Sequence, residues 1–199
     1  MDSYTVSPNP IIDKKGIISE KFTSLKIKNF WDACVYVHDI PYGYNSTTDD
    51  ILIVFKEMYG LCTTKHAVIA TLAEELNIPV YKMIGIYAMN EDIVTGTTKI
   101  LKKYHLPYLP MIHCSLIYNS FRVDLTEGNN NGKNRSIEEF LFTEKVISNI
   151  SEKDEYLLYK NALKNHILIR KEMEGITMID VLHARTEGIA LLRSKVTYQ

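Results

Sequence analysis

The sequence predicts an α+β fold. Apolar residues recur at three- and four-residue steps through residues 24–76, the period shifts to that of strands over 80–88 and 111–126, and helical periodicity returns after 136. The chain has 199 residues, 46% apolar and 24% charged, so one substantial core and a single domain over 1–199 are expected. That composition excludes disordered and collagen-like classes. Lys+Arg 23 against Asp+Glu 24 leaves a formal net charge of -1, which offers no general field for a phosphate backbone, so nucleic acid is not an expected partner.

Residues 1–20 carry Pro8, Pro10 and Gly16 and read as an irregular lead-in. They have neither the basic start nor the apolar core of a secretory signal, so a cytoplasmic protein is expected. No membrane span is expected either, because the longest run without Asp, Glu, Lys or Arg, 104–121, is broken by Pro107 and Pro110. A first amphipathic helix is predicted over 24–38 from Leu25, Ile27, Phe30, Trp31, Cys34, Val35 and Val37, ended by Pro41 and Gly43. A second is predicted over 48–59, with Thr and Asp at its start and Gly60 beyond its end. A third runs over 62–76, stopped by Asn77 and Pro79.

A buried strand follows over 80–88, and after a long connection 111–118 and 121–126 form a β-hairpin across Asn119-Ser120. The polar run Glu127 to Arg135 reads as a mobile surface loop. Helices are predicted over 136–143, 152–173 and 178–194.

Three cysteines without an export signal argue against a disulfide framework, so each thiol needs its own explanation. Cys34 lies within an amphipathic helix, and Cys114 alternates away from its strand neighbour His113, so both read as packing residues. Cys62 is different. It follows the Gly60 break and opens the third helix, where unpaired N–H groups lower a thiol pKa and face any oxyanion formed beside it. A nucleophilic thiol also needs an imidazole held by a carboxylate. With the turn at 119–120, position 113 pairs near 126, and Asp124 becomes a diagonal neighbour of His113 within side-chain reach.

These residues resemble the transglutaminase-like superfamily. The stretch Gly60-Leu-Cys62-Thr-Thr-Lys-His-Ala-Val with Leu76-Asn-Ile-Pro79 and the following strand is similar to its nucleophile segment. Ile112-His113-Cys114 through Tyr118, then Phe121-Arg-Val-Asp124-Leu-Thr126, is similar to its histidine and aspartate strands. The chain departs from the family pattern at Asn77, Ser115 and Leu125, where Gly, an aromatic residue and Pro are usual.

The resemblance implies a papain-like core at about 24–126, in which the cysteine helix packs on an antiparallel sheet, plus a C-terminal helical extension at about 136–194. It makes Cys62 the nucleophile, His113 the general base and acid, and Asp124 the orienting carboxylate. The implied activity is a cysteine protease, amidase or acyltransferase reaction on a peptide, protein or small amide or ester, through a thioester and without cofactor or metal. The backbone N–H of Cys62 is the expected oxyanion donor, and Trp31, Tyr42 and Tyr44 are candidates for a side-chain donor. Two other readings are a catalytically inactive scaffold of the same fold and a metal site in which His66, four residues after Cys62, joins His113 or Cys114. Lys65 and His66 are expected to add positive charge beside the thiol.

Overall fold

The computed structural model describes residues 3–196. Its architecture is α+β, with seven α-helices and a four-stranded antiparallel sheet among the described residues. A short turn of 3-10 helix at Tyr4–Val6 precedes α1 (Ile17–Ser24), α2 (Phe30–Asp39), α3 (Ile53–Glu57) and α4 (Cys62–Glu75). Then come β1 (Val80–Met89), α5 (Thr97–Tyr104), β2 (Leu109–Tyr118), β3 (Phe121–Val123), β4 (Phe142–Val146), α6 (Glu152–Ala162) and α7 (Met178–Lys195). The sheet order is β3-β2-β1-β4. Among the described residues no helix is long and apolar enough to cross a membrane.

The central pair is long: β1 and β2 run antiparallel from Val80 opposite Tyr118 to Met89 opposite Leu109. The hairpin closes where expected, with Tyr118 opposite Phe121 and Asn119 in the left-handed conformation at φ 53°. Strand β3 is shorter than predicted, because the chain leaves the ladder after Val123.

Helix α4 is buried along most of its length, in keeping with the small and apolar residues Ala67, Val68, Ile69, Ala70, Leu72 and Ala73. One apolar cluster packs α4 against Phe22 of α1, Phe30 and Val37 of α2, and Val80, Leu116 and Val123 of the sheet. A second gathers the far end of the sheet, Ile86, Tyr87, Met89, Leu109 and Met111, with Ile100 of α5, Tyr159 of α6 and Val181, Ala184 and Leu192 of α7. Helix α7 reaches β2 at Gly188, where a Cβ would stand 2.6 Å from Leu109 Cδ2, so a larger residue there requires the Leu109 side chain to move. Residues of the same helix, Arg185, Ile189 and Leu192, line the cavity that Cys62 also lines.

Several predicted elements are corrected. The helix predicted over 24–38 begins only at Phe30, and a separate helix, α1, ends at Ser24. Lys26 is left-handed at φ 62°, α1 ends before it, and Asn29 caps α2 by accepting a hydrogen bond from Asp32 N. The lead-in therefore contains α1, whose cap comes from elsewhere: Glu75, at the end of α4, accepts from Ile18 N at 3.0 Å and Ser19 N at 2.6 Å. The second helix shrinks to Ile53–Glu57, because the segment before it folds as a turn held by Asp50 and Leu52. Residues 136–143 form no helix, and Phe142–Val146 is instead an edge strand on β1, with Ile86 opposite Phe142. Helix α5 lies in the long connection between strands, where no helix is predicted, and the helix over 152–173 is interrupted by a wide turn at Leu163–Ile167.

The Glu75 cap gives a direct expectation. Glu75→Ala should lower unfolding stability by about 1–2 kcal/mol, read as a reduced urea midpoint with an unchanged slope, since two α1 amides lose their acceptor.

Candidate active site

Cys62 is the first residue of α4, and the preceding Leu61 offers no side-chain cap, so the first amides of the helix are left for another acceptor. The thiol is 6% exposed, and what it exposes faces a cleft of about 320 Å³. Its position is set from both sides. Gly60 N donates to Pro41 O at 3.0 Å, and Gly43 N donates to Gly60 O at 3.2 Å, which lays the Pro41–Gly43 segment alongside the approach to the helix. Thr64 Oγ1 donates to Asn45 Oδ1 at 2.7 Å and ties the same loop to the first turn of α4.

The structure brings Cys62, His113 and Asp124 together. His113 Nε2 lies 2.5 Å from Asp124 Oδ2, and His113 lines one cleft with Cys62, near enough for the imidazole to lower the thiol. Asp124 is fixed in turn by Thr126, whose N and Oγ1 donate to Oδ1 at 2.8 and 2.7 Å. The carboxylate thus both caps the turn after β3 and holds the imidazole. Arg122 does not compete for it, since its guanidinium donates to the carbonyls of Ile137 and Glu138.

The charges follow from these contacts. Hydrogen bonds from Cys114 and from His113, with the positive charges of His113 and Lys133, outweigh burial and hold the Cys62 thiol well below the ordinary range. Burial works against the His113 imidazolium, but the Asp124 carboxylate and the Cys62 sulfur raise it to about 9. Burial would likewise raise Asp124, yet the charge and hydrogen bond of His113 keep its carboxyl below the usual range. The favoured state at neutral pH is a Cys62 thiolate beside a His113 imidazolium and an ionised Asp124.

Cys34 is fully buried in the α1–α2–α4 core, and burial pushes its thiol upward. Cys114 is fully buried too, but its surroundings go beyond packing. It packs with Cys62 in one small cluster, where the Cys62 sulfur and burial raise the Cys114 thiol, and its sulfur lies 3.6 Å from Thr63 Oγ1. Thr63 in turn donates to Glu155 Oε2 at 3.1 Å.

His66 and Lys65 do not charge the thiol. Leu125 N donates to His66 Nε2 at 2.8 Å, so the ring proton sits on Nδ1, which donates to Cys62 O at 2.7 Å. Both ring nitrogens are occupied by backbone groups, burial lowers the ring pKa to about 4, and the ring is neutral at pH 7. It joins the start of α4 to the strand end that carries Asp124 and has no nitrogen free for a metal. Among the described residues, no group of three or more His, Cys, Asp or Glu side chains is placed to hold a metal ion. Lys65 Nζ donates to the carbonyls of His38 and Ile40 at 2.9 and 2.5 Å.

Of the three oxyanion candidates, Trp31 is spent, since its indole N–H donates to Ser7 O at 3.0 Å. Tyr42 and Tyr44 do line the cleft. Sequence reasoning missed Tyr87, which also lines it and whose buried hydroxyl has no hydrogen-bond partner among the described residues. Tyr87 is on β1, two residues beyond Gly85, which pairs with His113, and alternation along β1 is the signal that could have found it.

The cleft has further walls outside the predicted core. Helix α6 supplies Glu152, Glu155 and Tyr156, and α7 supplies Arg185, Ile189, Leu192 and Arg193. The polar loop after β3 supplies Lys133 and is tied down by its asparagines: Asn129 Oδ1 accepts from Tyr42 N at 2.9 Å, and Asn134 Nδ2 donates to Thr95 Oγ1 at 2.9 Å.

No protein-family model, curated protein or solved structure matches this chain. Function is argued from the site alone.

Proposed function

We propose that the protein is a cysteine hydrolase or acyltransferase of the transglutaminase-like, papain-like kind, acting on an amide or ester. The observation that carries this reading is the line from Cys62, at an uncapped helix start, through the His113 ring to the Asp124 carboxylate 2.5 Å beyond it. One cleft exposes both Cys62 and His113.

The Cys62 thiolate attacks the substrate carbonyl carbon and forms the C–S bond, and the oxyanion develops beside the Cys62 N–H. The His113 imidazolium then gives its proton to the departing amine or alcohol as the carbon–heteroatom bond breaks, leaving a Cys62 thioester. In the second half His113 takes a proton from water or an amine. That acceptor displaces the thiolate and releases an acid or a new amide. Asp124 keeps the imidazole oriented and stabilises its charged form.

Incubation with activated acyl esters tests this reading. An acyl mass increment is expected on the peptide bearing Cys62, removed by hydroxylamine and absent in Cys62→Ala. Acylation spread over Cys34 and Cys114, or none at any thiol, would contradict it.

A further inference from the structure

We propose that the cleft at Cys62 selects acyl donors that carry a carboxylate, received by Lys133 and Arg193 on its tyrosine wall. The proposal rests on the reading of Cys62 as the acylated thiol. Lys133 Nζ lies 5.9 Å from the centre of the Tyr42 ring, and the Arg193 guanidinium lies 4.8 Å from the centre of the Tyr44 ring. The two rings meet edge to face with centroids 6.0 Å apart, so the two cations sit over adjacent tyrosines of one wall. Both cations line the cleft that exposes Cys62.

Neither cation has a carboxylate within ion-pair distance or a side-chain hydrogen-bond acceptor among the described residues, although seven ion pairs form elsewhere. A third cation, Arg185, lines the same cleft 4.8 Å from the centre of the Tyr159 ring, and its buried Nε has no acceptor. Two carboxylates also line the cleft, both on α6. Glu155 accepts from the Thr63 hydroxyl and already faces the charges of Lys82 and Arg185, and Glu152 stands on the exposed first turn of its helix. The tyrosine wall therefore carries two cations without a direct carboxylate contact, Lys133 facing the negative charges of Cys62, Asp124 and Glu127 only beyond ion-pair distance, in a partly desolvated cleft where charge pairing counts for more than in open water. An entering carboxylate supplies the missing partner.

Two alkylating reagents of nearly equal size separate this from a general effect on the thiol. Iodoacetate carries a carboxylate and iodoacetamide does not. Both attack by the same displacement of iodide by the Cys62 thiolate, so any change in thiolate fraction cancels in the ratio of their rates. The ratio is measured at Cys62 of the full chain by mass spectrometry. Lys133→Met and Arg193→Met should each lower it by about threefold to tenfold. Lys133→Arg should retain it, which separates lost charge from lost folding. A ratio unchanged in both Met variants, with rapid iodoacetamide labelling of Cys62, would overturn the proposal and leave the thiol reading intact. Iodoacetamide labelling of Cys62 no faster than of Cys34 would overturn both.

Discussion

His113→Ala should slow acylation of Cys62 by about 10²–10⁴-fold, because it removes the general acid that protonates the leaving group. The same variant should cut iodoacetamide labelling of Cys62 at pH 7 by about tenfold to thirtyfold. The native thiol is held low by hydrogen bonds from Cys114 and His113 and by the His113 charge. With the Cys114 S–H, a weak donor, and the Lys133 charge left, the thiol returns toward an ordinary value of about 8.5, at which roughly 3% is thiolate at pH 7. Acylation should fall more than labelling, since alkylation needs the thiolate but no proton for iodide. Equal losses in both would mean that His113 affects only the thiol pKa.

Asp124→Ala should have the largest effect on stability, about 3–5 kcal/mol, because it leaves a buried imidazole without its counter-ion. The Thr126 N–H and hydroxyl lose their acceptor as well. The change has a signature in pH. Asp124 is lowered in the folded state, so its contribution is present above about pH 4 and lost as pH falls through the lower folded value. His113 is raised to about 9 in the folded state, so its contribution is present below about pH 6.5 and lost as pH rises through about 9. These are two views of one interaction. Asp124→Ala should therefore flatten the native stability profile on both the acid and alkaline sides, read by urea unfolding across pH. A profile of unchanged shape would show that the pair contributes nothing to folding.

Much of the core was legible in the sequence. The helix over 62–76 was marked by Gly60 before it and Asn77 and Pro79 after it, and it is found at Cys62–Glu75. The hairpin was marked by alternation and by Asn119, which accepts the left-handed turn conformation. Asp124 does lie within reach of His113, but just past the end of the ladder, where Thr126 rather than strand pairing holds it.

The misses share a physical cause: what fixes each element lies outside its own segment, for most of them far away in sequence. Helix α1 starts at Gly16, which has no side chain to cap it, and takes its acceptor from Glu75. Helix α5 begins after a left-handed Gly96 and has Glu91 accepting from Gly96 N and Thr98 N, with no Ser, Thr, Asn or Asp at its cap. The short, half-exposed β4 gains its identity from pairing with β1. The cleft wall on α7 depends on Gly188 meeting Leu109, which no local pattern reveals. Cys114 read as packing because alternation turned it from His113, and it packs against Cys62 itself.

The most direct measurement is the rate of Cys62 alkylation by iodoacetamide from pH 5 to pH 9.5. A thiolate–imidazolium pair predicts a rate already near its plateau at pH 6 and flat through pH 8, with the rise moved to higher pH in His113→Ala. A native rate that climbs tenfold per pH unit up to about pH 8.5, as an ordinary thiol does, would contradict the account.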